Sequence, residues 1–335
     1  MNKKEIIGNV FQFKELGFTP HWFFSAPCNE GGASERMDLY YGGCEWRKRA
    51  DDYIMGTHIG FINAKPENGF VKDTFGTLLL EGNVSHVVKP VLEEPTLKGY
   101  RFPKPEDMAD WRGIREYMNV NADKFQLWGL AMGLFERSWF MRGMDNFMTD
   151  LVLEPEFVED LLDGILEVHL QFMDMVKKEL PIDAYYGGDD VSDQRGVMFG
   201  VDRWRHFFKP RLKKLIDHAH GLGLKYVLHA CGNVMPIVDD LIELGLDGLE
   251  SLQPEAMDVF MLKKQAKGKL VLIGGMGVQS MLFSGTPDEI RDGTTRLLRE
   301  LGEGGGYIIS PSKPFDCEPV ENIAAFMETV LAQHS

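Results

Sequence analysis

Cysteine is scarce in this chain of 335 residues, whose four thiols are Cys28, Cys44, Cys231 and Cys317. Thiols so few and so scattered cannot build a disulfide framework, so we expect a reduced, cytoplasmic setting. The sequence also has no apolar run approaching the ~18 residues that are needed to span a bilayer. Its first residues carry no long apolar core and no small-residue cleavage pattern, so we do not expect a secretory signal.

Positive charge is also in short supply. Lys and Arg together number 36 against 51 Asp and Glu, which gives a formal net charge of −15. A field of this sign repels nucleic acid and anionic membrane surfaces, so we expect neither as a partner. The remaining composition, 44% hydrophobic and 26% charged, is typical of a globular protein with a well-developed core.

A regular alternation of short buried segments and longer helical patterns begins near residue 100 and predicts parallel βα units. No Gly-rich dinucleotide fingerprint follows the first predicted strand, which disfavours a Rossmann sheet. We therefore expect an α/β fold, a single (β/α)8 TIM barrel over residues 1–335, with a less regular helical and hairpin extension over about residues 1–110. Strands are predicted at 20–24, 126–131, 184–188, 226–229, 249–251, 270–275 and 306–310, with further strands and a hairpin within 50–95.

Three local signals set the expected helices. Pro155 opens a helix that runs to about Leu180, since proline is tolerated at the first helical position. A helix over 202–220 is expected to bend at Pro210. Thr286 and Glu289 have the spacing of a capping box, which predicts the start of a helix.

His229 and Cys231 stand at the end of a predicted strand, where residues i and i+2 point to the same side. The loops after barrel strands carry the chemistry of this fold, and Cys317 follows the last strand. One imidazole and two thiolates would hold zinc and leave a fourth position open, as in catalytic sites. Glu250, at the end of the next strand, is a possible fourth ligand or an anchor for His229.

Structural interpretations stand beside the metal hypothesis. His229 and Cys231 could be ordinary core groups, and Glu250 could form a salt bridge at the rim. Cys28 is a lesser candidate for the metal, and Cys44 is assigned to a loop or core position.

Several further short motifs lie along most of the chain. They are Lys72-Asp-Thr-Phe-Gly76, Phe102-Pro-Lys-Pro-Glu106, Met141-Arg-Gly143, Tyr186-Gly-Gly-Asp-Asp190, His229-Ala-Cys-Gly-Asn233, Asp239-Asp-Leu-Ile-Glu-Leu-Gly245, Gly274-Gly275, Ser310-Pro311 and Glu321-Asn-Ile323. In these motifs the chain resembles the uroporphyrinogen decarboxylase superfamily, which implies a (β/α)8 barrel of the uroporphyrinogen decarboxylase type.

The resemblance divides between two branches. Decarboxylases bind a carboxylate-rich porphyrinogen through arginines after the first strand, whereas this chain has no arginine before Arg36. Ser310-Pro-Ser-Lys313 also replaces their late histidine. His229 and Cys231 instead match the zinc motif of the corrinoid-dependent methyltransferases. In the coenzyme M enzymes of this branch, the downstream zinc-binding cysteine falls at about the position of Lys313. Cys317 lies further along the chain, as expected for an O-demethylase type whose substrate is not a thiol.

The resemblance implies zinc-dependent transfer of a methyl group from a small methoxylated, aromatic compound to a separate corrinoid protein. No Asp-x-His-x-x-Gly pattern is present, so the cobalamin is expected on that partner. Tyr186 would orient the substrate, and Asp189 and Asp190 would bind or deprotonate a phenolic hydroxyl, compete for the metal, or cap a helix. An apolar wall for the ring, or else ordinary core, is assigned to Phe23, Phe24, Phe135, Trp139 and Met276.

Three alternatives stay open at this point. The first is methyl transfer from methylcobalamin to a thiol such as coenzyme M, and the second is uroporphyrinogen decarboxylation. The third belongs to another class of protein, a metal-free barrel that binds a small molecule.

Overall fold

A computed structural model of the chain describes residues 1–24, 32–59, 68–80 and 86–334. Cys28, the lesser candidate for a metal ligand, lies outside these ranges. The strands are β1 (Ile54–Ile59), β2 (Phe70–Lys72), β3 (Leu78–Leu80), β4 (His86–Lys89), β5 (Phe125–Leu130), β6 (Ala184–Gly188), β7 (Ser192–Asp193), β8 (Gly196–Val197), β9 (Lys225–His229), β10 (Gly248–Leu252), β11 (Val271–Met276) and β12 (Tyr307–Pro311).

Helices connect these strands and cover the outside of the sheet. They are α1 (Lys3–Val10), α2 (Ala33–Tyr41), α3 (Trp46–Arg49), α4 (Trp111–Val120), α5 (Leu134–Arg142), α6 (Met144–Leu153), α7 (Pro155–Glu179), α8 (Val201–Arg203), α9 (Lys209–Gly221), α10 (Val238–Glu243), α11 (Val259–Ala266), α12 (Met281–Ser284), α13 (Pro287–Gly302) and α14 (Val320–Leu331). Short 3₁₀ segments lie at Pro105–Asp107, Met235–Ile237 and Ala332–His334.

Seven parallel strands form one curled sheet in the order β1, β5, β6, β9, β10, β11, β12. The eighth position is filled by the extended residues 20–22. Ile309 of β12 donates its N–H to the Pro20 carbonyl at 3.0 Å and accepts the Trp22 N–H at 3.0 Å. On the other side, the Tyr53 N–H donates to the His21 carbonyl at 3.4 Å, just before β1. The sheet is therefore closed, and the predicted (β/α)8 barrel is confirmed.

The strand predicted at 20–24 is reduced to a single bridge between His21 and Ile309. Pro20 has no N–H to donate, and Phe24 has a φ of 56° that leaves the extended region. Both residues stop the ladder from growing. Most other barrel strands, such as β5 and β11, are buried at every position because helices cover the outside and side chains fill the inside.

Two predicted helices differ from the observed ones. The first helix ends at Val10 instead of near Gly17. The bend expected at Pro210 is a π-helical segment, Trp204–Phe208, between α8 and α9. Proline lacks an N–H and crowds the preceding turn, and the wider π turn accommodates this misfit.

Other local predictions are confirmed. Helix α7 spans Pro155–Glu179, and Thr286 and Glu289 form a capping box at the start of α13. The predicted hairpin turn joins β2 to β3, where the Thr77 N–H donates to the Asp73 carboxylate at 2.8 Å. The meander β2–β3–β4 follows β1 in the chain, and its Leu79 packs with Met132 and Phe140 near the barrel mouth.

A buried ion pair ties this meander to α5. Arg137 lies 2.6 Å from the Asp73 carboxylate, and both side chains are about 1% exposed. The guanidinium also lies over the Phe75 ring, 4.1 Å from its centroid. Removing one member of a buried pair leaves the other charge without compensation.

We therefore expect Arg137→Met to lower the free energy of unfolding by about 3–5 kcal/mol, because the Asp73 carboxylate would stay buried without a counter-charge. The double variant with Asp73→Asn should recover part of this loss, because no isolated charge remains. Urea unfolding of the two variants measures both values. A loss below about 1 kcal/mol in the single variant would contradict the assignment.

A second buried group, His169 on α7, makes stability depend on pH. Its ring nitrogens lie 3.1 Å from the Met132 carbonyl and 3.3 Å from the Tyr185 hydroxyl. Burial, with the nearby charge of Arg137, lowers the pKa of His169 to about 4. The folded state thus binds this proton less tightly than the unfolded state, so the contribution is complete above about pH 6.5 and is lost toward pH 4.

Between about pH 6.5 and pH 5, this single group should remove about 2 kcal/mol from the free energy of unfolding. The matched variant His169→Gln keeps a polar side chain that does not titrate. We expect the wild-type protein to lose about 2 kcal/mol more than this variant over that interval, as measured by urea unfolding at each pH. Equal losses in both proteins would refute the assignment.

Candidate metal centre

Three neighbouring strands deliver the polar side chains of the barrel mouth. His229 is the last residue of β9, and its register partners are Gly188 at the end of β6 and Glu250 in β10. Asp190 follows β6, and Cys231 follows β9 by two positions. The carboxyl ends of parallel strands meet on one rim, so these side chains come together there.

Asp190, His229 and Cys231 converge on one point. The Cys231 Sγ lies 3.5 Å from His229 Nε2, which lies 3.6 Å from Asp190 Oδ1. One ligand atom from each residue lies within 4.8 Å of the others. Within the described parts of the chain, this is the only group of three or more metal-binding side chains that meets this condition.

Glu250 lies behind this group and fixes the orientation of the imidazole. Its Oε2 is 2.5 Å from His229 Nδ1 and 2.5 Å from the Tyr186 hydroxyl, and the residue is only 1% exposed. With Nδ1 engaged, Nε2 is the nitrogen that faces Cys231 and Asp190. Of its two predicted roles, Glu250 therefore has the geometry of an anchor. The Tyr186 hydroxyl donates to Glu250, and its predicted role in orienting the substrate stays a prediction.

Burial and neighbouring charges shift the pKa values of both His229 and Cys231. Burial alone would lower the pKa of His229, but the Glu250 carboxylate and Cys231 outweigh it and hold that pKa well above its usual value. Burial raises the pKa of the Cys231 thiol, against the opposing effect of His229. Protons and a metal ion would therefore compete for the same nitrogen and sulfur.

The turn after His229 places Cys231 through backbone contacts. The Cys231 N–H donates to Asp190 Oδ1 at 2.7 Å, and the Gly232 N–H donates to Gln253 Oε1 at 2.7 Å. Gly232 has a φ of 81°, and a Cβ there would lie 2.4 Å from the Ser192 carbonyl oxygen. Only glycine fits this position, so the sharp turn after Cys231 depends on it.

Asp189 and Asp190, predicted as a pair, have different positions. The Asp189 carboxylate accepts the backbone N–H groups of Phe135 at 2.9 Å and Glu136 at 3.0 Å, in the first turn of α5. Burial raises the pKa of Asp189 to about 7 in spite of these bonds. Asp189 is thus the helix-capping member of the pair, and Asp190 is the member that faces His229 and Cys231.

Cys317, the predicted third ligand, does not join the group. It is an exposed thiol in the segment after β12. The Arg36 guanidinium of α2 donates to the carbonyls of Asp316 and, at 2.8 Å, Glu318. These contacts fix the residues on both sides of Cys317 against α2, and the thiol stays on the surface. Among the described residues, the side chains that converge are therefore His229, Cys231 and Asp190, and Cys317 is not one of them.

An open cavity of about 450 Å³ adjoins the group. Its described lining residues are Trp22, Phe24, Gly56, Thr57, His58, Ala131, Met132, Glu136, Tyr186, Gly188, Asp190, His229, Cys231, Glu250, Ser312, Lys313 and Pro314. Of the five predicted wall residues, Phe24 alone lies on this cavity. The aromatic and sulfur-containing side chains that form the wall with it are Trp22, Met132 and Tyr186.

The other four predicted wall residues belong to the packed interior. Phe23 stacks on His21 at 4.2 Å, and Phe135 packs against Phe199 at 4.8 Å. Met276 is 1% exposed, and Trp139 packs on the neighbouring Phe140 ring. In an extended segment successive side chains point to opposite faces, so Phe23 and Phe24 could not both face the cavity. The same alternation puts Trp22 on the side of Phe24, so the sequence did contain a signal that Trp22 faces the cavity.

Glu136 is a cavity residue that the sequence did not reveal. It lies in the first turn of α5, where the capping contact from Asp189 places it. Burial, followed by the charges of Asp190 and Asp189, raises the pKa of Glu136 to about 8. At neutral pH this shift favours the protonated form of the Glu136 carboxyl.

Residues 79–333 match the model of the uroporphyrinogen decarboxylase (URO-D) family. The chain belongs to this family. Among its relatives, the methylcobamide:CoM methyltransferase MtbA of Methanosarcina acetivorans is 21% identical over 232 residues, which cover 68% of this chain and 64% of the relative. Methylcobamide:CoM methyltransferase MtaA of Methanosarcina barkeri is 26% identical over 183 residues, which cover 54% and 51%.

A solved structure, a methyltransferase from Methanosarcina mazei, superposes with a TM-score of 0.73 at 17% identity and covers 100% of both chains. This superposition supports the barrel fold. The family match and the two relatives confirm the resemblance to the methyltransferase branch that the motifs predicted. The matches span less than two thirds of the relatives' own lengths. No helix in the described part of the chain is long and apolar enough to cross a membrane.

The donor set fits zinc. Imidazole nitrogen, thiolate sulfur and carboxylate oxygen are its usual ligands, and three protein ligands leave a position open for substrate. The Glu250 carboxylate bound to the distal imidazole nitrogen is the outer contact that zinc-binding histidines commonly have.

We expect the purified protein to bind one zinc ion per chain and to lose it in His229→Ala and Cys231→Ser, because each removes one converging donor. Asp190→Asn should weaken binding by about tenfold or more. Metal analysis and competition with a chelator measure these effects. Cys317→Ser is the matched control and should keep its zinc; loss of the metal in this variant would restore Cys317 as the third ligand.

Proposed function

We propose that this chain is a zinc-dependent methyltransferase that moves a methyl group from a small methoxylated, aromatic compound to the cobalt of a separate corrinoid protein. The observation that carries the proposal is the convergence of Asp190, His229 and Cys231 at the edge of an open cavity with aromatic walls. The relatives named methylcobamide:CoM methyltransferases support methyl transfer that depends on a corrinoid.

An aryl methyl ether is inert because phenolate is a poor leaving group, with a conjugate-acid pKa of about 10. Zinc, when bound, supplies the Lewis acidity that stabilises the departing oxygen. His229, Cys231 and Asp190 would hold it. Glu250 keeps Nε2 of His229 directed at the centre, and the Asp190 carboxylate holds the backbone of Cys231 in place.

The cavity walls position the ether. Trp22, Phe24, Met132 and Tyr186 offer apolar surface to an aromatic ring, and they exclude water from the transferred methyl group. Glu136 offers a hydrogen bond from its protonated carboxyl to an oxygen of the substrate. The open side of the cavity would leave the methyl carbon accessible to the reduced cobalt of the partner, so we expect the corrinoid protein to dock on the rim of the barrel.

A second candidate is methyl transfer from methylcobalamin to a thiol, which the names of the two relatives favour. The ligand set favours the ether. The His/Cys/Asp and His/Cys/Cys sets carry the same formal charge, but a carboxylate donates less electron density to zinc than a thiolate does. Zinc held by His229, Cys231 and Asp190 would therefore be the stronger Lewis acid. Decarboxylation of a porphyrinogen is disfavoured, since no arginine is among the described residues that line the cavity.

Incubation with cob(I)alamin and a panel of methoxyarenes tests the reaction through the absorbance of methylcobalamin. We expect product with the wild type and a loss of about a hundredfold or more in His229→Ala and Cys231→Ser, because the leaving oxygen loses its stabilisation. Cys317→Ser is the control and should retain activity.

The reverse assay offers methylcobalamin and 2-mercaptoethanesulfonate to the same proteins. If the zinc-loaded wild type methylates the thiol and accepts no ether, the second candidate replaces the first. If it accepts neither, methyl transfer itself is refuted.

A further inference from the structure

Three buried polar groups on the cavity have no hydrogen-bond partner among the described residues. They are the Trp22 indole Nε1, the His58 imidazole Nε2 and the Ser312 hydroxyl. Trp22 and Ser312 are each only 1% exposed. Buried polar groups almost always have a partner, so three such groups on one cavity indicate a place for a ligand's polar atoms.

The three groups come from adjacent parts of the barrel. Ser312 follows β12, Trp22 lies in the bridging segment 20–22 beside it, and His58 lies in β1 on the other side. The metal centre is built from the ends of β6, β9 and β10, in the other half of the sheet. The rings of His58 and His229 are 6.2 Å apart, so one small molecule can reach both sides of the cavity.

The chemistry of these groups selects the ligand. An indole N–H only donates, and a serine hydroxyl donates readily. Lys313 follows Ser312 directly, and it is the only Lys or Arg among the described lining residues. The Lys313 ammonium also only donates, and it lies 3.7 Å from the Asp316 carboxylate at the cavity rim, with its side chain 47% exposed. Together with the indole N–H and the hydroxyl, it is complementary to an acceptor with negative charge. A carboxylate has acceptor oxygens enough for several of these donors.

Aromatic surface joins this wall to the metal centre. The Trp22 and Phe24 rings are 4.2 Å apart, and the His58 ring stacks on Tyr186 at 4.0 Å. The Tyr186 hydroxyl reaches Glu250, the anchor of His229. A flat ring placed along these side chains would have one end at the donor wall and the other at the metal centre.

The geometry points to a carboxylate subsite formed by Trp22, Ser312 and Lys313. The methoxylated substrate is then an aromatic acid whose carboxylate binds to this subsite while its methoxy group faces Asp190, His229 and Cys231. The identity of the substrate rests on the proposed function, but the subsite itself can be tested without methyl transfer.

The test is calorimetric binding of benzoate, which has no methyl group to transfer, to the zinc-loaded protein. Benzyl alcohol is the uncharged probe, and ethanesulfonate is the aliphatic anion. We expect benzoate to bind more tightly than either, and its affinity to fall by roughly tenfold in Lys313→Met and in Ser312→Ala, because each loses a donor to the carboxylate. Trp22→Phe should act in the same direction, since it removes the N–H and keeps the ring.

Lys264→Met, a change of an exposed lysine on α11, is the matched control and should leave benzoate affinity unchanged. Zinc content of every variant reports whether the metal centre is intact. Benzoate affinity that is equal in wild type, Lys313→Met and Ser312→Ala overturns the subsite. If benzyl alcohol binds as tightly as benzoate, the subsite does not require an anion. If ethanesulfonate binds more tightly than benzoate, the ligand is not an aromatic acid.

Methyl-transfer assays with 4-methoxybenzoate and methoxybenzene separate the two proposals. If both ethers react equally well and benzoate affinity is the same in the variants as in the wild type, the subsite is refuted and the proposed function stands. If benzoate binds as expected and neither ether reacts, the subsite stands and the proposed function fails. A higher KM for 4-methoxybenzoate in Lys313→Met, with zinc retained, supports both.

Discussion

The arrangement at the barrel mouth depends on one buried carboxylate. Glu250 accepts from His229 Nδ1 and from the Tyr186 hydroxyl, and it is almost fully removed from solvent. Burying a carboxylate costs free energy unless hydrogen-bond donors surround it. Glu250 therefore needs both of these contacts to remain buried. Because its donors come from β9 and β6, this one side chain connects three strands and decides which imidazole nitrogen faces the cavity.

The barrel closes through a short extended segment, residues 20–22, in place of a full eighth strand. Residues 20–22 bond to β12 on one side and to Tyr53 on the other, and this bridge brings Trp22 into the cavity wall. A longer strand would continue the ladder past Phe24, whose positive φ turns the chain away. The short bridge thus explains why the cavity is bounded by aromatic groups on the side that faces the metal centre.

The barrel and half of the candidate site could be predicted from local patterns. Buried segments with a strand period identify most strands, and the spacing of His229 and Cys231 places both on one side. The choice between Cys317 and Asp190 could not be predicted in this way. It depends on Arg36, distant in sequence, which holds the segment around Cys317 against α2. Likewise, alternation separates Asp189 from Asp190 but does not say which of them faces inward.

The two neighbouring aspartates connect helix α5 to the converging group. One carboxylate holds the first turn of the helix, and the next residue along the chain belongs to the converging group. Glu136, in that same turn, lines the cavity. A guest molecule that shifted this turn would also displace Asp190, so binding in the cavity and the position of Asp190 would be linked by one free energy, equal in both directions.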